Sequence, residues 1–205
     1  MEPMNLTRRA VILGCVAALP GCSAVSALNS AAQPLDTYDL APVSGARRGR
    51  RTARTLLVAR PDAPAALASD RIMVKPDPVA ITYLPEARWA DDLPLVVQSL
   101  LIRSISGTDR VGYVGRSEGG PVPDTALLVR IDAFHVNVLP AGGFEVAINI
   151  ALTAMDDREQ RVIANRGFAQ TVAAADDSPA TLVAATQRAL NTLLPEMADW
   201  AVANA

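Results

Sequence analysis

Apolar and polar positions alternate with period two over two long stretches of the chain, the pattern of half-buried strands. In the second stretch Phe144, Val146, Ile148, Ile150 and Leu152 hold one phase against Glu145, Ala147, Asn149, Ala151 and Thr153, which predicts a central strand. In the first, Leu127, Val129, Ile131 and Ala133 carry the apolar set until Phe134, Val136 and Val138 take it over. A one-residue slip exchanges the two faces of a strand, so a β-bulge is expected near Ala133 and Phe134. Leu139-Pro140-Ala141-Gly142-Gly143 reads as the hairpin joining the pair, and Asp156-Asp157-Arg158-Glu159 as the turn into a third strand over residues 161–172. Shorter β-type runs at residues 37–40, 55–59, 71–75, 79–83 and 111–114 come before this meander, punctuated by Pro42, Pro61, Pro76, Pro78 and Pro85.

Twice the period changes to that of a helix. Leu93, Val96, Val97, Leu100, Leu101 and Ile105 form an apolar stripe behind Asp91 or Asp92 as cap and Pro94 in the first turn, with Gly107 closing it. Near the C-terminus Ser178 as N-cap and Pro179 at the first helical position open a helix with Leu182, Ala185, Ala189, Leu190, Leu193 and Met197 on one face. Pro195 cannot donate to the Asn191 carbonyl, so a kink is expected there. The order of strands, helix, strands, helix predicts an α+β fold, a largely antiparallel sheet with two helices packed on one face.

The N-terminus has the pattern of an export signal. Arg8 and Arg9 precede a short apolar core from Ala10 to Leu19, and Pro20-Gly21 leads to Cys22. Leu19-Pro20-Gly21-Cys22 resembles the lipobox of bacterial lipoproteins. That resemblance implies cleavage between Gly21 and Cys22 and a thioether lipid on the Cys22 sulfur. The chain then divides into a signal peptide (1–21), a tether of small and polar residues (22–35) and one domain (36–205). Three acyl chains of ~14 to 16 carbons, palmitate among them, bind a bilayer far more firmly than the single chain that anchors marginally. Cleavage also removes Cys15, so no disulfide is available. Thr7-Arg8-Arg9 leaves Sec and twin-arginine export both open. Ser23, in place of Asp, follows the outer-membrane sorting pattern of proteobacterial lipoproteins.

Composition narrows the chemistry further. Half of the 205 residues are hydrophobic, yet the chain has one histidine and two cysteines. His135 reads as a solvated strand residue. With Cys22 acylated, no transition-metal set and no cofactor beyond the covalent lipid is expected. Asp156, Asp157 and Glu159 lack the spacing of a calcium loop, and Asp176 and Asp177 suit a helix N-terminus. No nucleophile elbow or phosphate loop is present, so the chain reads as a non-enzyme; a hydrolase would have to use Asp132 or His135. Trp89 reads as core packing just before the first helix. Charge is uneven: Arg47, Arg48, Arg50, Arg51, Arg54 and Arg60 fall in a segment with no acid, on an otherwise acidic chain. Arg47, Arg48, Arg50 and Arg51 are therefore candidates for contact with lipid headgroups or an acidic partner. An extracytoplasmic location argues against nucleic acid.

Together, Thr37-Tyr38-Asp39-Leu40, Asp70-Arg71-Ile72-Met73-Val74, Tyr83-Leu84-Pro85 with Arg88-Trp89-Ala90, and the final helix resemble the ABC-type transport auxiliary lipoproteins. The resemblance implies a periplasm-facing, outer-membrane-anchored partner of an MCE-domain protein with its ABC permease and ATPase. In such a lipid transport system it docks onto or caps the conduit, the ATPase supplies the energy, and a homo-oligomer is compatible with that role. The competing reading is a carrier lipoprotein that encloses an acyl chain between sheet and helices.

Overall fold

The computed structural model describes residues 35–47 and 49–205, and Leu35–Ala205 forms a compact unit. Its elements are β1 (Asp36–Tyr38), β2 (Thr55–Val58), β3 (Arg71–Lys75), β4 (Thr82–Trp89), α1 (Leu93–Ser106), β5 (Tyr113–Arg116), β6 (Thr125–Val138), β7 (Phe144–Asp156), β8 (Arg161–Ala174) and α2 (Pro179–Ala203). The strands make one sheet, in the order β1-β4-β3-β6-β2-β5, with β7 between β6 and β8.

The 14-residue β6 is the rail on which this sheet is built. One edge pairs with β7 from Thr125↔Asp156 to Val138↔Phe144. The other edge is shared: β2 takes its first residues (Leu56↔Thr125) and β3 its last (Val74↔Val136, Lys75↔Asn137). Two short strands laid end to end along one long one make the sheet curl around its buried face. The expected antiparallel meander β6–β7–β8 is present, but the sheet is mixed, not largely antiparallel. The β1–β4, β2–β5, β2–β6 and β3–β6 pairs are parallel. Parallel partners need a crossover connection, so they are remote in sequence, whereas turn residues between consecutive runs report only hairpins.

The β6 bulge falls between Ile131 and Ala133, one residue before the expected site. It exchanges the faces there, so that Leu127, Val129, Ile131, Phe134 and Val136 are all buried. The run expected at 79–83 is displaced. The Asp77 carboxylate accepts the N–H groups of Val79 and Ala80 at 2.8 Å each, folding that stretch into a loop, and β4 continues instead to Trp89. Between the pairs Arg71↔Arg88 and Met73↔Tyr83 β4 carries extra residues, with Glu86 in the left-handed region at φ 59°.

Helix α1 lies against β2 and β5, α2 against β7 and β8, and the helices pack on each other. The core between them and the sheet includes Leu101, Ile105, Ile150, Leu152, Leu190 and Met197, none more than 1 % exposed. Trp89 is buried there edge-on to Phe134, with ring centroids 5.9 Å apart. Ser178 caps α2, its hydroxyl accepting the Thr181 N–H. The helix runs on through Pro195 to Ala203, so the missing N–H does not end it. Gly107 caps α1 in a right-handed conformation at φ −66°. A Cβ there would meet the Ser44 hydroxyl, which would have to turn aside. Among the described residues no helix is long and apolar enough to cross a membrane.

Candidate functional site

From Leu40 the chain leaves β1 and runs as a strap along the two helices. Leu40 is buried in the core. Gln187 on α2 then clamps Ala41, its amide oxygen accepting the Ala41 N–H at 2.8 Å and its amide nitrogen donating to the Ala41 carbonyl at 3.1 Å. The Val43 N–H donates to the Ser104 hydroxyl of α1 at 3.1 Å.

The strap ends on Asp199. The Ala46 and Arg47 N–H groups donate to its Oδ2 at 3.1 and 3.0 Å, and Arg47 also to Oδ1 at 3.2 Å. The Asp199 side chain is only 10 % exposed, and the Arg110 guanidinium, 17 % exposed, lies 3.5 Å from Oδ1. A Cβ on Gly45 would press on the Asp199 carboxylate and one on Gly49 on the Arg110 guanidinium. Two glycines thus let the backbone lie flat over a buried ion pair. The Thr52 N–H continues the anchoring onto the Arg110 carbonyl at 2.9 Å.

This fixed backbone displays the basic side chains. Arg47, Arg50, Arg51 and Arg54 are exposed, and Arg48 lies outside the described residues. Arg51 meets Asp109 at 3.2 Å with both side chains solvated, so that pair contributes little. A groove of about 420 Å³ beside the loop brings Arg166 of β8 to the same surface as Arg47, next to Glu196 and Trp200. The Arg166 guanidinium stacks over Phe168 with its carbon 4.6 Å from the ring centre and reaches Glu196 at 3.4 Å.

Arg166, Arg110 and Asp199 were not distinguishable as site residues in the sequence. The available signal was Asp199 itself, an acid near the C-terminal end of an apolar helix, where the helix dipole disfavours it. Cys22 and Gly21 lie outside the described residues. The remaining candidate chemistry stays dispersed. Both Asp132 oxygens accept from Arg130, at 2.7 and 3.1 Å, a bond that holds the Asp132 carboxyl below its usual range. His135 is half-buried, and burial, then Lys75, push its imidazole below the usual 6.5. Asp156 accepts the Arg158 and Glu159 N–H groups at 3.0 Å each, shaping the β7–β8 turn. Among the described residues no cluster of three His, Cys, Asp or Glu side chains is placed to hold a metal ion.

The described residues thus form a curled α+β body with a pinned arginine loop and dispersed titratable groups. Residues 38–198 match the ABC-type transport auxiliary lipoprotein components, and the chain belongs to that family. The family is one of auxiliary transport lipoproteins, membrane-anchored components of the envelope. An uncharacterised protein of Bradyrhizobium diazoefficiens is 28 % identical over 171 residues, 81 % of this chain and 44 % of the relative. The chain thus spans under half the length of that relative. The fold is shared with a crystal structure of a Xanthomonas campestris protein, at 23 % identity and a TM-score of 0.73 over 82 % of this chain and 96 % of that one. A second crystal structure, of an uncharacterised protein, matches at 19 % identity and a TM-score of 0.62 over 82 % of this chain and 97 % of that one.

Proposed function

We propose that the protein is a non-catalytic component of an ABC/MCE-type intermembrane lipid transport system, held on the periplasmic face of the outer membrane by a lipid on Cys22. It docks onto or caps the transport conduit. The observation that carries this reading is the arginine loop: a backbone pinned by the buried Asp199–Arg110 pair that holds solvated guanidinium groups outward. An MCE-domain protein with its permease and ATPase is the partner, and an acidic surface on it is the complement to this loop.

Packing supports docking over the carrier reading. A carrier needs room between sheet and helices for an acyl chain, and that space is filled by side chains such as Ile131, Ile150, Leu190 and Met197. The cavity of about 550 Å³ is bordered by the β3–β4 loop and the β6–β7 hairpin, that of about 420 Å³ by Arg47, Arg166 and the last turns of α2, and that of about 310 Å³ by β4 and the starts of β7 and α2.

The test is made in intact cells. Mass spectrometry of the secreted form is expected to find an acylated Cys22, and a photo-crosslinker placed at Arg50 to capture a component of an MCE transporter. Cys22→Ser is expected to release a folded body into the soluble periplasm and abolish transport. A free Cys22 thiol would end the anchor, and capture that never includes a transporter component would end the docking role.

A further inference from the structure

The two ends of the body differ in chemistry. At one end the β3–β4 loop and the β6–β7 hairpin lie side by side, because β3 and β6 run parallel with Val74 beside Val136 and Lys75 beside Asn137. A groove of about 550 Å³ separates them, bordered by Pro76, Pro78, Leu139 and Pro140. Val79 is 92 % exposed, Ile81 51 % and Leu139 37 %. Val79 is displayed by construction, since the Asp77 carboxylate that accepts its N–H and that of Ala80 fixes the loop.

The described chain begins at the same end. β1 runs parallel to β4 with Asp36 beside Ala87, and β4 is in turn paired so that Arg88 meets Arg71 and Thr82 meets Val74. Leu35 therefore enters β1 from the side of the loop, about three residues of sheet or roughly 10 Å behind it. The thirteen residues that follow Cys22, through Leu35, reach at most ~45 Å even when fully extended. The arginine loop lies at the other end, beside the C-terminal turns of α2. That helix has 25 residues, and at 1.5 Å per residue it sets the two ends ~37 Å apart.

We infer that the apolar tip, residues 76–81 with residues 138–141, seats in the interfacial layer of the bilayer that carries the Cys22 lipid, leaving the arginine loop facing away from it. This rests on the anchored reading above and names its membrane face and its docking face. Charge does not carry the seating. Lys75 is the sole lysine of the chain, while Asp77 within the tip and Glu86, Asp177 and Glu145 beside it lie at the same end. Anionic headgroups gain little there, and contact is expected to survive high salt.

The test is the full chain carrying Val79→Trp, a change at a solvent-facing position, reconstituted in phosphatidylcholine vesicles with and without brominated acyl chains. The unsubstituted chain, whose Trp89 is 2 % exposed, sets the baseline. The introduced indole is expected to emit at shorter wavelength and to lose emission to the bromines. An indole introduced by Glu159→Trp, on the turn at the opposite end, is expected to do neither. Membrane-fractionating protein without quenching at position 79 overturns the tip and leaves the anchor standing. Protein recovered soluble with a free Cys22 thiol overturns the anchor. The same brominated vesicles added to that protein then decide the tip alone, quenching keeping it and its absence rejecting it. A blue shift that appears without vesicles and grows with protein concentration assigns the tip to a second copy and rejects a lipid seat.

Discussion

At the scale of single residues, Asp199 has the most consequence for the arginine surface. A carboxylate in the last turns of α2 opposes the helix dipole. It is retained against that cost because two backbone N–H groups and the Arg110 guanidinium converge on it. Arg110 depends on it strongly, since Nε and Nη1 have no hydrogen-bond partner and Asp199 is the nearby counter-charge. Asp199→Ala leaves that largely buried cation and two donors unanswered, a loss of about 2 to 4 kcal/mol. Asp199→Asn keeps an acceptor and is expected to lose less. Urea midpoints measure both. A loss below about 1 kcal/mol for the alanine variant would show that other contacts hold the loop. The glycines beside it act in the same assembly, as Gly45 and Gly49 leave no room for a side chain over the pair.

At the scale of elements, β6 couples the halves of the sheet, and its C-terminal part carries the one histidine of the chain. Burial and Lys75 hold His135 below its usual 6.5, so the folded chain binds this proton less readily than the unfolded one. Stability from the neutral ring is complete above 6.5 and lost as pH falls through the lower folded value. Asp77, Asp132, Asp156 and Asp176 also sit below their ordinary value, so their contribution is present above 3.8 and lost only in stronger acid. Urea midpoints are expected to begin falling just below pH 6.5, and His135→Gln to flatten that first segment alone. An unchanged slope there would move the effect to another group. The elements themselves were legible in proportion to how local their cause is. Period and loop composition in consecutive residues gave the β6–β7 hairpin, the bulge to within one position, and both helices. The parallel β2–β6 and β3–β6 pairs rest on crossovers with no local signal. The start of β4 was hidden because Val79 and Ile81 have strand composition while the Asp77 side chain, two and four residues away, turns their backbone. The arginine segment was visible as charge, but its attachment joins Arg47 to Asp199 across 152 positions, a pairing no spacing encodes.

At the scale of the whole molecule, the proposed function has the two ends acting separately. If the tip and the Cys22 lipid address the membrane and the arginine loop addresses a partner, each can be removed without disturbing the other. Reversal of Arg47, Arg48, Arg50 and Arg51 to Glu changes the loop by eight charge units. The side chains described there are solvated and the Arg51–Asp109 pair is exposed, so stability is expected to shift by no more than about 1 kcal/mol. Membrane retention is expected to stay as it is, because it comes from acyl chains and the distant tip. Partner association at low salt is expected to slow by about tenfold or more, since complementary charge acts mainly on the encounter rate. Raising the ionic strength shortens the Debye length from about 10 Å at 0.1 M toward 3 Å at 1 M, and the two proteins should converge over that range. Association rates of the purified anchored protein with its transporter, followed across a salt series, measure this. Equal rates for both proteins at low salt would return the loop to a solvated surface segment, and loss of membrane retention in the reversed protein would place the arginines on headgroups instead.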